Sequence, residues 1–547
     1  MKNIDFGRTD GRRDYIFGDA MLRREICEKL VRLLSESGYK ETVTPTAEYF
    51  DVFSADPTRS MGDNVYKFTD ERNRLMALRC DCTVPIARIA ATKLTDTPLP
   101  YRLFYCQNVF SAPNAANALT ESTQCGAELI GTEHKNMMEA DIEILELAAK
   151  SMQTLFGLDF RIEIGHGKLF TTLSEMYNID SETSETIRKL IETKNFASIE
   201  TMKIPKPFKM LPKMFGTADD VDLASLDVFA NETGSDKIRE IIDYIKTLII
   251  KLKEKGYGKC LSFDLGLVGR LDYYTGIIFG GFVSGLGHAV LLGGRYDNLT
   301  ANFGRDLPAT GFGITVDDIF DLLKNRKEDV QPEKPLRPIR IALTKGRLEK
   351  KTIELFEKNG VDCSSLINKG RKLVFPLNNG QFEVMLVKSR DVITYVEHGV
   401  CDLGIVGSDT ITEYGSSLYE LADLGFGKCR MALAGNAKYK NDPENFFGGY
   451  SKKVLATKFV NAARRYAAEK KVDVEIVTIE GSVELAPILG LADGIVDIVE
   501  TGDTLRENGL EIIEDIFPVS ARIVANVAAT KLRKKEIDEM LSGVLKV

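Results

Sequence analysis

Several stretches in the C-terminal part of the chain combine glycine, hydroxyl and charge in the way a phosphate ester requires. The segment Asp497-Ile498-Val499-Glu500-Thr501-Gly502-Asp503-Thr504-Leu505 follows a β-rich run at 494–499. A turn from strand to helix aims several backbone N–H groups at one point, and the helix start adds partial positive charge. Gly502 leaves room for close approach. Thr501 and Thr504 offer hydroxyls, while Asp497 and Glu500 are acceptors suited to the vicinal hydroxyls of a ribose. Acids beside a phosphate nest favour a sugar phosphate over a bare phosphate. Alone, Thr-Gly-x-Thr is equally a capped strand–turn–helix connection.

A second constellation is Thr344-Lys345-Gly346-Arg347-Leu348, where two cations flank a glycine. Fixed cations at a helix start can neutralise a diphosphate leaving group; a solvated surface turn has the same composition. Arg390 beside Asp391, Asp402 through Asp409, Ala456-Thr457-Lys458 and Glu480-Gly481-Ser482-Val483-Glu484 also stand at strand ends or helix starts.

The elements that must hold these residues follow from periodicity. Strands are expected at 339–343, 382–387, 402–406, 453–456, 472–479 and 494–499. Helices are expected at 348–359, 391–397, 461–470 and 483–489. Such alternation predicts a mainly parallel α/β sheet with ligands at the carboxyl ends of its strands. The N-terminal part differs. Leu22, Ile26, Leu30, Val31 and Leu34 mark an amphipathic helix. Runs at 75–78, 101–110, 124–130, 274–283 and 289–292 then predict an α+β domain with a large antiparallel sheet. Between the two parts, 324–338 is charged and holds three prolines, the composition of an extended connector. The expected division is a domain at 1–323, a linker at 324–338 and a domain at 339–547.

Composition narrows the functional classes. A chain of 547 residues exceeds a single hydrophobic core. Acids outnumber bases by 80 to 72, so a broad nucleic-acid-binding surface is not expected, though a local basic pocket for an anion is compatible. Nine scattered cysteines without CxxC pairs read as reduced thiols, and four histidines without HExxH spacing give no zinc site. No signal-type apolar segment and no run of about 18 apolar residues is present, so no membrane association and a cytoplasmic location are expected.

In order, Lys345-Gly346-Arg347-Leu348, Asp402-Leu403-Gly404-Ile405-Val406-Gly407, Ala456-Thr457-Lys458, Gly481-Ser482-Val483-Glu484 and the 497–505 segment resemble the short-form ATP phosphoribosyltransferase catalytic subunit, the first enzyme of histidine biosynthesis. The resemblance spans about 338–547. It implies two lobes of periplasmic-binding-protein type, 339–430 plus 515–547 and 431–514, with the site between them. It implies that Asp497, Glu500, Thr501, Gly502, Asp503 and Thr504 hold phosphoribosyl pyrophosphate (PRPP). Lys345, Arg347 and Arg390 then face its diphosphate or the ATP phosphates, and Lys458, Gly481, Ser482 and Glu484 lie near the nucleotide. The implied chemistry is attack of adenine N1 of ATP on C1 of PRPP with loss of pyrophosphate, assisted by Mg2+. Asp503 departs from the pattern, since many relatives carry a base there.

Across about 5–322, Thr44 through Phe50, Leu78 through Thr83, Tyr101 through Tyr105, Gln124 through Glu128, Leu271 through Gly276, Leu292 through Asp297 and Pro308 through Gly313 resemble the catalytic core of histidyl-tRNA synthetase, a class II synthetase fold. They resemble more closely its non-synthetase paralogue, the regulatory subunit of ATP phosphoribosyltransferase. The resemblance implies a histidine pocket of Asp81, Thr83, Gln124, Glu128, Tyr273, Tyr274 and Arg270, the last displaced by one position. Two synthetase arginines are missing: Ser111 and the Thr315-Val316-Asp317-Asp318 segment stand in their places. Adenylate formation without those cations lacks charge stabilisation at the α-phosphate. The reading is a fusion of regulatory and catalytic subunits, homo-oligomeric, with histidine as feedback inhibitor. The rivals are a two-lobed solute receptor joined to a histidine sensor, and a histidine-activating or tRNA-handling enzyme.

Overall fold

The structure, a computed structural model, describes residues 11–54, 65–111, 120–268, 274–326, 337–367, 372–415, 418–448 and 451–545. The chain divides into two compact units, Met1–Lys334 and Pro335–Val547. Most of the expected 324–338 connector lies outside the described residues, but its first residues close a helix, Val316–Arg326.

The first unit is built on a nine-stranded sheet. Its centre is an antiparallel run of Tyr101–Phe110, Glu121–Ile130, Ala309–Thr315, Leu291–Arg295, Ile277–Val283 and Phe160–His166. Parallel pairs occur only towards the edges, where Lys40–Glu41 joins Tyr101–Phe110 and Leu261–Asp264 joins Phe160–His166. The helix Phe17–Glu36 lays Leu22, Ile26, Leu30 and Leu34 into the core at a spacing of four. Burial of each contributes about 2 kcal/mol. Helix Met137–Phe156 shares that core. A mainly helical segment, with helices from Lys168–Met176 to Asp236–Glu254, lies in the chain between the paired strands Phe160–His166 and Leu261–Asp264 and supplies the edge strand Phe215–Thr217. This segment is an addition to the elements expected from periodicity.

The second unit holds two sheets. A six-stranded sheet runs Val374–Leu377, Phe382–Val387, Ile339–Thr344, Leu403–Gly407, Ala521–Ala525 and Tyr419–Asp423. A five-stranded sheet runs Val474–Thr478, Lys453–Thr457, Gly494–Val499, Cys429–Asn436 and Leu510–Val519. Both are mixed, which corrects the expectation of a mainly parallel sheet. Each has three adjacent parallel strands: in the six-stranded sheet they are flanked on both sides by antiparallel strands, and in the five-stranded sheet they form one edge, with the antiparallel strands Cys429–Asn436 and Leu510–Val519 on the other side. The chain passes from the first sheet to the second after Asp423 and returns after Val519, and the strands beside those crossings are antiparallel. Glu413, 6% exposed, accepts from the backbone N–H groups of Asn461 (2.9 Å) and Ala462 (3.1 Å) at the start of helix Val460–Lys470. A carboxylate from helix Ser408–Tyr414, which follows a strand of the six-stranded sheet, thereby caps a helix that follows a strand of the five-stranded sheet.

Candidate functional site

The strand Gly494–Val499, the middle one of the five-stranded sheet, delivers Glu500 through Thr504 at its carboxyl end. Gly502 has φ 78°, a left-handed backbone that favours glycine, and it caps the short helix Asp503–Glu507. The loop's polar groups satisfy one another. Thr501 Oγ1 donates to Asp503 Oδ2 at 2.6 Å, and Arg506 donates to Asp503 Oδ1. These bonds hold the Asp503 carboxyl below its ordinary range. The sequence question about Asp503 thus has a local answer: its charge is met by Arg506, one turn on.

Glu500 pairs with Arg347. Arg347 begins the helix Arg347–Lys358, whose entry is set by Gly346 at φ 97° and by Glu349 Oε2 accepting from the Gly346 N–H at 3.2 Å. The two cation-bearing and acid-bearing stretches, far apart in sequence, therefore meet across the two sheets. Lys345 beside them is exposed. Arg390 stacks instead on Tyr414, its guanidinium 5.0 Å from the ring centroid.

Behind the loop lie further charges. Burial pushes Asp497 above its ordinary range, Lys458 opposes that shift, and the charges of Glu484 and Asp409 add to it. Asp409 is raised for the same first reason, with Lys458 again opposing. Lys458 is positioned by its neighbour: buried Thr457 donates to the Val496 carbonyl at 2.6 Å, tying the Lys453–Thr457 strand to Gly494–Val499. Ser482 has φ 48°, an uncommon conformation for a non-glycine residue and one that clusters at ligand sites. Gly481 and Thr504 are exposed. Asp409 and Arg506 were given no role from sequence. Asp409 folds back over Gly407, where a Cβ would lie 2.1 Å from its Oδ1, so Gly407 was the available signal. Among the described residues no group of three or more His, Cys, Asp or Glu could hold a metal ion.

The first unit gathers a different set. Glu128, 1% exposed, accepts from Thr83 Oγ1 at 2.8 Å and from the Tyr296 hydroxyl. Gln124 Oε1 accepts from the Cys82 N–H at 3.3 Å. Strand alternation puts Gln124, Gly126 and Glu128 on one sheet face, beside Tyr105, Gly311 and Gly313 of the paired strands. A Cβ on Gly311 would lie 1.7 Å from Glu128 Oε2, and one on Gly313 would lie 2.6 Å from Gln124 Nε2. Those glycines of the 308–313 motif therefore leave space for the two polar side chains. Gly294 does the same for the Tyr274 ring, 2.6 Å from where its Cβ would stand. Asp81 accepts from the Val84 N–H at 3.2 Å at the start of helix Thr83–Thr92. Arg270 and Tyr273 lie outside the described residues. The sequence carries no signal that Tyr105 and Tyr296 join this cluster, because strand pairing brings Tyr105 beside Glu128 and a hydrogen bond brings Tyr296 there.

The positions that depart from the synthetase pattern have structural uses. Asp317, 3% exposed, accepts from the Tyr15 hydroxyl and from the Thr123 backbone N–H. Ser111 pairs through its N–H with the Thr120 carbonyl at 3.0 Å.

Residues 11–319 match the family model described as histidyl-tRNA synthetase, and residues 388–545 match that described as ATP phosphoribosyltransferase. The chain is 56% identical over 208 residues to the ATP phosphoribosyltransferase of Clostridium kluyveri, covering 38% of this chain and 93% of that one. It is 51% identical over 214 residues to that of Clostridium botulinum, covering 39% and 99%. Among solved structures it resembles an ATP phosphoribosyltransferase regulatory subunit/histidyl-tRNA synthetase from Bacillus halodurans, at 25% identity and TM-score 0.53, covering 71% of this chain and 94% of that one. A histidine–tRNA ligase subunit from Alicyclobacillus acidocaldarius shares the fold at 24% identity and TM-score 0.51, covering 60% and 100%. The chain therefore belongs to the histidyl-tRNA synthetase family through its first unit and to the ATP phosphoribosyltransferase family through its second, a fusion that makes it an ATP phosphoribosyltransferase.

Proposed function

We propose that the second unit joins adenine N1 of ATP to C1 of PRPP and that the first unit binds histidine and inhibits that reaction. The observation that carries the catalytic part is the meeting of Arg347 with the Glu500–Thr504 loop from the opposite sheet. In this reading the two sheets are the lobes of a periplasmic-binding-protein-like fold with the site between them. The N1–C1 bond forms as the C1–O bond to the diphosphate breaks, and pyrophosphate leaves with that electron pair. Arg347, Lys345 and Arg390 neutralise the phosphates, Asp497 and Glu500 accept from the ribose hydroxyls, and Lys458, Ser482 and Glu484 flank the nucleotide. Mg2+ is read as arriving with the diphosphate, where it screens charge on the leaving group.

The histidine part rests on Glu128, a buried carboxylate held by Thr83 and Tyr296 beside Gln124. A charged acceptor already desolvated and oriented suits an ammonium or an imidazole N–H. Inhibition requires that histidine bind more tightly to a less active arrangement. We read the chain as a homo-oligomer of the cytoplasm, in keeping with nine free thiols. Among the described residues no helix is long and apolar enough to cross a membrane. The test is pyrophosphate release from ATP, PRPP and Mg2+, with and without histidine. No PRPP-dependent release rejects the proposed reaction; release indifferent to histidine rejects the regulatory part alone.

A further inference from the structure

We infer that Arg506 is the side-chain cation for the phosphate ester of PRPP in this chain, and that Asp503 competes with that phosphate for it. The inference rests on the transferase reading of the 500–504 loop. In a helix every side chain leans towards the N-terminus, so a residue covers the surface one turn before it. Arg506 does this: its Nη1 lies 3.3 Å from the point where a Cβ on Gly502 would stand. The guanidinium thus lies beside the glycine at the centre of the loop, on the side where a Cβ would also meet Val499 and Ile512.

Asp503 occupies the donors that an incoming phosphate needs. One of its oxygens takes the Thr501 hydroxyl at 2.6 Å, and the other takes the Arg506 guanidinium. A carboxylate carries one charge and two oxygens, whereas a phosphate monoester carries close to two charges and three oxygens. The phosphate is therefore the stronger partner for a planar guanidinium fork. The Asp503 and Arg506 side chains are 65% and 53% exposed, so the carboxylate can turn to water when it is displaced. A structural role predicts little, because an exposed i,i+3 pair contributes only a few tenths of a kcal/mol. A competition role predicts that the two substitutions act in opposite directions on PRPP and not on ATP.

The experiment is steady-state pyrophosphate release by the full chain, with PRPP and ATP varied in turn. Arg506→Met is expected to raise the KM for PRPP about tenfold, with kcat and the KM for ATP moving less than about twofold. Arg506→Lys is expected to recover most of that loss. Asp503→Asn is expected to lower the KM for PRPP about threefold, and to lose this effect when combined with Arg506→Met. An active Arg506→Met enzyme whose KM for PRPP equals that of the parent overturns the inference. So does an Asp503→Asn gain that is equally large without the arginine. If Arg506→Met does not fold, Asp503→Asn alone decides, since an unchanged PRPP KM there overturns the competition. A parent chain that releases no pyrophosphate from ATP and PRPP fails at the transferase reading instead, so the two failures are distinct.

Discussion

The two polar sites of this chain are organised in opposite ways. Around Glu128 the carboxyl and its partner Tyr296 are buried and Thr83 is half-buried, and glycines at 311 and 313 clear the sheet face for the carboxyl and for Gln124. Around Glu500 the partners are exposed: Arg347 is 51% and Glu500 56% accessible, and Asp503 lies in solvent against Arg506. The first site holds its buried carboxyl in place through hydrogen bonds from Thr83 and Tyr296. The second keeps its charges hydrated and mutually neutralised, and in the proposed function it exchanges those pairs for phosphates. A buried, prearranged site suits a small ligand that must be told from close analogues. An open, ion-paired site suits large polyanions that arrive and leave at every turnover.

This contrast can be broken by experiment, starting where burial makes the effect largest. Glu128→Gln keeps the shape and removes the charge, and is expected to raise the histidine concentration for half-inhibition about a hundredfold. Isothermal titration with histidine would show it, and unchanged affinity would remove Glu128 from the pocket. Arg347→Met is expected to lower kcat about thirtyfold, since an electrostatic donor to a leaving group is lost from a partly hydrated site. Single-turnover pyrophosphate release checks this; a loss confined to KM would make Arg347 a binding residue only.

The buried regime extends to a second place in the first unit, where His166 lines a 360 Å3 cavity with Asp141, Tyr244 and Arg295. Burial, with a smaller contribution from Lys168, lowers the His166 pKa to about 4. The unfolded state then binds the extra proton between pH about 6.5 and about 4. The stabilising preference for neutral His166 is therefore present above that window and is lost as the pH falls through it. Thermal unfolding across these pH values should lose about 1–3 kcal/mol more for the parent than for His166→Gln. Parallel pH curves for the two proteins would contradict it. The smallest effect belongs to the open site: Glu500→Gln should change unfolding stability by less than about 1 kcal/mol while raising the KM for PRPP. A fall in stability of several kcal/mol would mean that the Arg347 pair is structural.

How far the sequence reached depends on the range of the interaction that sets each feature. The amphipathic helix at Phe17–Glu36 and the strands Leu75–Leu78, Tyr101–Phe110, Phe382–Val387 and Gly494–Val499 follow from local periodicity, and the observed elements agree. The left-handed turns at Gly346 and Gly502 are equally local. The antiparallel strands Cys429–Asn436 and Leu510–Val519 were not legible, because their pairing partners are set by the crossings between sheets and not by a nearby turn. Asp503 was read as an anomaly because its counterion lies on the next helical turn, where side-chain direction matters more than spacing. By itself, then, the sequence determined the two family affiliations, the elements with strong periodicity and the glycine turns, since these rest on short-range sterics and residue order. Tertiary structure decided that Arg347 meets Glu500 and that Tyr105 and Tyr296 flank Glu128, because sheet register and the packing of the two sheets of the second unit bring together residues separated by many turns of chain.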